Sequence, residues 1–440
     1  MRLVHAAHPG RDLWLGYCLN LRAPESLAEL QADIAEVVLP VRDALCGAAP
    51  RAFGVGLYLP AALARALARD PAGTAALRAF LHAERLVPFT FNAFPYGGFQ
   101  RDGVKREVFR PTWADQERLD YTLDVAAVAA ALAPEVGDGH VSISTHPGAF
   151  GAWLTDRSLL RRCAEGLGRA LAGLAELEAR GGPRCVLALE AEPRASAGTS
   201  RALAEYLVFA REVAARVLRT EHGRSDDVAR AVVARHLGTC LDACHAAVEF
   251  EAPDDALRLA TFDGPLGKLQ VSNALALPRP AERPDAVAAL LALDEPRYLH
   301  QTTGKLGAEL LRVEDLDELR RALEGAESQR WLAAEEWRCH FHVPIDREAL
   351  DGGLATTRAT ADSLLALAAA EPERWGTPAL HVEVETYTWS VLPGGAVRGA
   401  ALAAGVEREL RHALTRLGVA GWHAPGDSAE KNRAPGGDPR

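Results

Sequence analysis

The chain has 440 residues, 48% hydrophobic and 25% charged, with a mean hydropathy of −0.06; it is long and apolar enough to bury a large core, which excludes disorder for most of it. A net charge of −10, with no Lys/Arg cluster beyond ordinary solvated helix faces, speaks against a nucleic-acid partner, whose phosphates call for a basic surface. Seven scattered cysteines fit a reduced compartment, and neither a signal-peptide core nor an apolar run of membrane-spanning length occurs, so a cytoplasmic protein without a transmembrane segment is expected.

Short β-type runs alternate with longer helical patterns. LWLGYCLNL (13 to 21) leads into SLAELQADIAEVVLPVRDAL, where Ser26 and Glu29 form a capping box and Leu27, Leu30, Ile34, Val38, Val41 and Leu45 recur at helical spacing. FGVGLYL (53 to 59) and VPFTFNAF (87 to 94) follow, then a helix in TWADQERLDYTLDVAAVAAAL that opens on Thr112 and Asp115. HVSISTHP (140 to 147), CVLALEAEP (185 to 193), HLGTCLDACH (236 to 245), LGKLQVSNAL (266 to 275), RCHFHVPI (338 to 345) and HVEVETYTW (381 to 389) complete the series. Strand and helix in alternation mean parallel pairing, and eight or nine such units favour an α/β fold, a single closed (β/α)8 TIM barrel, over an open sheet. Nine candidates for eight staves make one an insertion; RCHFHVPI, in the long region before the last strand, is assigned to it. One domain is expected over residues 1–422, and the apolar-poor segment from His423 reads as a disordered tail, 423–440.

In a barrel with outer helices, one side-chain parity packs against the helices and the other fills the interior. In the fifth strand Leu187, Leu189 and Ala191 take the apolar parity and leave Ala188, Glu190 and Glu192 inside. In the sixth, Leu237, Thr239 and Leu241 leave Cys240 and Asp242; in the last, Val382, Val384 and Thr386 leave His381, Glu383 and Glu385. The same rule turns Asn20, Tyr58, Thr90, Asn92, Ser144, His146, Lys268, Gln270 and Ser272 inward, mostly at the C-terminal strand ends where barrel active sites lie.

Carboxylates buried together repel one another and lose hydration, so Glu190, Asp242 and Glu385, with the neutral Gln270, call for a divalent cation. Mixed oxygen and nitrogen donors suit Mn²⁺, Mg²⁺, Co²⁺, Fe²⁺ or Zn²⁺. The competing explanation is an interior of neutralised structural salt bridges. His245, three residues after Asp242, is read as a ligand or a substrate contact. His340 and His342 share one parity in HFH, which suits substrate contact or a second metal as well as a satisfied edge strand. With His245, Asn92, His146 and Lys268 they make up the substrate-binding candidates; Lys268 also reads as a counter-ion or proton-transfer group. The loop NAFPYGGF, with Phe94, Phe99 and Trp113, suits an apolar or ring-bearing ligand at the barrel mouth.

Glu190 on the fifth strand, Asp242 and His245 on the sixth and Glu385 on the last resemble the xylose-isomerase-like TIM-barrel superfamily of sugar isomerases, ketose 3-epimerases and endonuclease IV, which commonly has His where this chain has Gln270. FTFNAFPYGGFQRDGVKREVFRPTW (89 to 113), SISTHP, HLGTCLDACHAAVEFE, KLQVSNAL, EPRYLHQ and HVEVETYTW, in order between about residues 13 and 395, resemble the EboE-type metabolite traffic proteins. That resemblance implies a barrel encoded with genes for moving a prenyl-type or aromatic secondary-metabolite precursor, and a functional link to a membrane export or prenyltransferase system. Three functions compete. A metal-dependent isomerase or epimerase would use Glu190 and Glu385 as its acid/base pair, around a cation held by Glu190, Asp242, Gln270 and Glu385. A metabolite-binding protein needs neither turnover nor metal. An endonuclease IV-like phosphodiesterase needs a His-rich multi-zinc site and a basic face, against which the net acidity counts. The expectation is a metal-binding barrel that acts on or carries a small-molecule metabolite, with oligomeric state left open.

Overall fold

The computed structural model describes residues 1–47, 51–132, 139–392, 395 and 398–426. Its strands in chain order begin with β1 (Arg2–His5), β2 (Asp12–Tyr17), β3 (Phe53–Tyr58), β4 (Leu86–Asn92), β5 (His140–Thr145), β6 (Arg184–Glu190), β7 (Leu237–Asp242) and β8 (Leu266–Val271). Next come β9 (Asn273–Pro278), β10 (Thr302–Leu306), β11 (Glu309–Val313), β12 (Glu336–Val343) and β13 (Ala355–Thr356), before β14 (Ala379–Val384) and β15 (Trp422–His423).

Parallel pairing runs from β3 through β4, β5, β6, β7, β8 and β14 to β2. The ring closes where Cys18 bridges Gly56: the Cys18 N–H donates to the Val384 carbonyl (2.9 Å) and the Leu19 N–H to that of Gly56 (3.0 Å). This is the expected eight-stranded α/β barrel. Antiparallel β1 lies along β2, with Arg2 opposite Trp14, and β15 pairs in turn with β1, with His423 opposite Val4. The sequence placed His423 at the start of the tail; residues 427–440 lie outside the described residues.

Helices such as Gln116–Leu132, Arg157–Ala179, Ser200–Thr220 and Gly399–Val419 bury the outward parity, including Leu187, Leu189, Leu237, Leu269, Val382 and Val384. The first helix forms at Ser26 as its capping residues direct, with the Ser26 hydroxyl accepting the Glu29 N–H (3.2 Å). The Glu29 carboxylate reaches the Glu25 N–H instead of that of Ser26 (2.8 Å), so the box closes one residue early.

Inward parity holds except at two bulges; in β8 the shift falls at Gly267, where Leu266 lies opposite Thr239 and Lys268 opposite Cys240. The other bulge sets Val55 opposite Pro88 and Gly56 opposite Thr90, leaving Phe89 as an extra residue that turns inward beside Trp14. Gly16 and Gly54 make room for it: a Cβ on either would come within 2.7 Å of the Phe89 ring. Trp14, Val87, Phe89 and Ala379 thus plug one end of the barrel. Above them Ser142 donates to Thr90 (2.7 Å) and meets His381 Nδ1 (2.9 Å), and Lys268 pairs with Glu383.

The insertion before the last stave is larger than one strand. It forms an antiparallel sheet in the order β11-β10-β12-β9-β13, with its own core of Leu275, Leu277, Leu319, Trp331, Trp337 and Phe341. RCHFHVPI belongs to it, as assigned. LGKLQVSNAL is two strands, divided at Ser272: β8 is a barrel stave, and β9 continues into the second sheet. Along β12, Cys339 lies opposite Leu275 and Val343 opposite Asn273, so His340, Phe341 and His342 face Ala274 alone. This bulge releases the two histidines from a regular ladder and turns them to the barrel mouth.

Candidate metal centre

Strand register gathers four predicted residues. Glu190 pairs with Cys240, Asp242 with Gln270 and Gln270 with Glu383, which puts Glu190, Asp242, Gln270 and Glu385 at adjacent strand ends. Carboxylate oxygens of Glu190, Asp242 and Glu385 lie within 4.8 Å of one another, all buried. The Asp242–His245 spacing has a structural cause: Asp242 Oδ1 caps the helix Ala243–Val248 by accepting the His245 N–H (2.9 Å), leaving Oδ2 toward the cluster.

The Gln270 amide nitrogen donates to Glu190 Oε1 (3.3 Å), Asp242 Oδ2 (3.4 Å) and Glu385, while its oxygen accepts the Cys240 thiol (2.8 Å). As placed, Gln270 is a donor; service as an oxygen ligand takes a half-turn of the amide. Asn20 (2.6 Å) and Asn92 (3.0 Å) both donate to Glu385 Oε1, whereas Glu190 Oε2 is buried without a hydrogen-bond partner among the described residues. Burial, reinforced by neighbouring carboxylates, pushes the Glu190 and Glu385 carboxyls above their ordinary range; burial raises Asp242 as well. Lys268 lies below, paired with Glu383, which more than offsets the lowering effect of burial and keeps the ammonium charged. Three buried carboxylates and an amide, with the nearest lysine engaged elsewhere, fit a hard or borderline divalent ion.

Beside this cluster three imidazoles meet. Nε2 of His245 is 3.2 Å from Nε2 of His340 and 3.2 Å from that of His342, which are themselves 2.9 Å apart. Glu192 Oε2 lies 3.1 Å from His245 Nε2. Burial lowers His245 to about 3, His342 to about 4 and His340 well below the ordinary histidine value, so all three are neutral at neutral pH. The insertion thus brings His340 and His342 to His245 across the two sheets.

No model of a known protein family matches the sequence, and no curated protein matches it. Among solved structures, an L-ribulose 3-epimerase is similar at 13% identity and TM-score 0.44, over 97% of this chain and 100% of its own. D-psicose 3-epimerase from Clostridium cellulolyticum H10, solved with D-tagatose, is 12% identical with TM-score 0.45, over 92% and 99%. IOLI protein with a bound zinc atom is 10% identical with TM-score 0.44, over 92% and 99%. The barrel assignment itself rests on the strand pairing and ring closure above.

The cluster opens on a small cavity of about 70 Å³ bordered by Asn20, Asn92, Phe94, Phe99, Glu190 and Tyr387 among others. Its outer wall is aromatic: Phe99 packs edge-on to Tyr387 (5.4 Å) and Tyr58 (5.8 Å). His146 packs against Phe94 (5.3 Å) and Phe109 (5.8 Å), with Nε2 unpartnered. Trp113, expected at the mouth, instead belongs to the outer core, with its indole N–H on the His146 carbonyl (3.1 Å). Sequence reasoning gave no role to Asn20, Glu192, Tyr387 or Gln301. Asn20 and Glu192 had the inward parity as a signal; Gln301 and Tyr387 had none, since each depends on how the insertion and mouth loops settle.

Proposed function

We propose that the chain is a divalent-metal-dependent isomerase or epimerase of a small hydroxylated carbonyl compound, with Glu190 and Glu385 moving the substrate proton. The observation that carries this reading is the buried trio Glu190, Asp242 and Glu385 at the C-terminal strand ends, which among the described residues has no lysine or arginine salt-bridged to it. A bound divalent ion would supply polarisation of adjacent carbonyl and hydroxyl oxygens. Asp242, with one oxygen on the helix cap, would hold that ion with the other, and Glu385, fixed by Asn20, Asn92 and Gln270, would be a further ligand. Glu190, whose Oε2 has no partner among the described residues, would take a proton from carbon; Glu385 would deliver one to the opposite face for epimerisation, or Glu190 would return its proton to the neighbouring carbon for isomerisation. Asn20, Asn92 and Tyr387 would border the substrate, whereas His146 lies behind Phe94 and Phe109.

The aromatic wall favours a second reading, in which a ring-bearing or prenyl-type precursor is held without turnover and passed, in the cytoplasm, to a membrane export or prenyltransferase system, as the metabolite-traffic resemblance implies. The two separate in D₂O. Metal-loaded protein is incubated with a panel of ketoses and keto acids, and deuterium entering the carbon next to the carbonyl is followed by NMR. Incorporation that Glu190→Gln abolishes supports the isomerase. Absence of exchange across the panel, with tight binding of an aromatic or prenyl ligand, supports carriage.

A further inference from the structure

The carboxylate cluster leaves the imidazoles beside it unexplained. Each of the three rings has its Nδ1 committed to an acceptor: His245 to the Ala191 carbonyl (3.0 Å), His340 to Gln301 Oε1 (2.6 Å) and His342 to the Glu385 carbonyl (3.0 Å), with Ser272 Oγ also near His342 Nδ1 (2.9 Å). A carbonyl oxygen only accepts, so the rings of His245 and His342 carry their protons on Nδ1. Gln301 is oriented by Pro193, whose carbonyl takes the amide nitrogen (3.0 Å); the oxygen therefore faces His340, and that ring too is protonated on Nδ1. Neutral imidazole has one proton, so all three Nε2 atoms are lone pairs. They point at one another across 2.9 to 3.2 Å with no donor hydrogen between them.

Three converging lone pairs in buried side chains repel unless something positive lies among them. Metal–imidazole bonds of about 2.0–2.1 Å set neighbouring ligand nitrogens roughly 2.9–3.4 Å apart, between right-angle and tetrahedral geometry, which matches the observed spacing. Nδ1–H bonded to a carbonyl or amide oxygen is also how metal-binding histidines are commonly oriented. The supports are specific to the insertion: His300 stacks on Phe341 (3.7 Å) and its Nδ1 meets the His340 carbonyl (3.0 Å), which fixes the bulge carrying both rings.

We infer that His245, His340 and His342, with Glu192 as a fourth ligand, form a second metal centre beside the carboxylate trio. Its nitrogen-rich donor set selects a late first-row divalent ion such as Zn²⁺, Co²⁺ or Ni²⁺, whereas the carboxylate trio suits Mn²⁺ or Mg²⁺. Asp242 lies within reach of both groups, so the two ions would share it as a neighbour. The inference rests on the three converging imidazoles and not on the carboxylate trio, and it stands whether or not the barrel is an isomerase.

Untagged protein, stripped with a chelator and given one equivalent of Zn²⁺, is examined by X-ray absorption. Two or three imidazoles per zinc support the centre; one or none overturns it, and this measurement needs no variant. Elemental mass spectrometry after loading with excess Co²⁺ gives the complementary count: two ions per chain in the parent, one in His340→Ala/His342→Ala and one in Glu190→Gln/Glu385→Gln. Histidine variants that keep every ion the parent holds, while folded by circular dichroism, overturn the proposal. If instead only the histidine variants lose an ion, the imidazole centre stands and the carboxylate reading falls.

Discussion

Glu383 and Glu385 stand two residues apart on one inward face, both buried, and differ in what answers their charge. Glu383 meets the Lys268 ammonium in an enclosed pair, so tight that a Cβ on Gly56 would come within 1.7 Å of Glu383 Oε1. Among the described residues Glu385 bonds the neutral amides of Asn20, Asn92 and Gln270, and has the Glu190 and Asp242 carboxyls as neighbours. Where the barrel uses a buried carboxylate for structure, an adjacent strand supplies the cation. Where it collects carboxylates without one, the arrangement is incomplete until a ligand arrives.

The harshest way to break this contrast is Lys268→Met, which strands Glu383 as a buried, unpaired charge and should cost about 3–5 kcal/mol in urea unfolding, most of it recovered by adding Glu383→Gln. A loss under about 1 kcal/mol would erase the distinction between the two glutamates. Next in size, a divalent ion at a hundred times its dissociation constant should stabilise the protein by about 2.7 kcal/mol, seen as a chelator-reversible rise in melting temperature that Asp242→Asn largely removes.

Glu409 offers a third answer to burial and a pH test. Burial pushes its carboxyl up to about 8, against partial relief from the Thr386 hydroxyl (2.6 Å) and the Ile345 N–H (3.2 Å). The folded value lies above the unfolded one, so its contribution is fully present below about pH 4.5 and is lost as pH rises through about 8. Between pH 6 and 9 the parent should lose roughly 2–3 kcal/mol more than Glu409→Gln, measured by denaturant titration at each pH. Smallest of all, metal-free Glu385→Gln should change stability by no more than about 1 kcal/mol, and upward, because it relieves repulsion where Glu383→Gln would orphan a lysine.

Alternation was enough to read the barrel and its carboxylate cluster, because a stave buried on both faces leaves a polar residue few places to point. Phe89 shows where that logic stops: a bulge changes parity, and Pro88, the residue that marks an interrupted ladder, does not say which way Phe89 turns. The insertion was legible only as one strand. β10 and β11 are short and join through a tight turn at Gly307 (φ 61°), a signal that a lone glycine in a polar stretch carries weakly. HFH revealed that His340 and His342 share a face, but the meeting with His245 depends on the register of β12 against β9, which pairs residues some 65 positions apart, as for Cys339 with Leu275.

Ser272 alone separates the barrel stave β8 from β9 of the second sheet. The smaller sheet is therefore spliced into a stave and cannot slide or hinge without pulling on the strand that carries Gln270. Trimming the barrel to its minimal form would mean recutting that stave, so the two sheets make up one mechanical part.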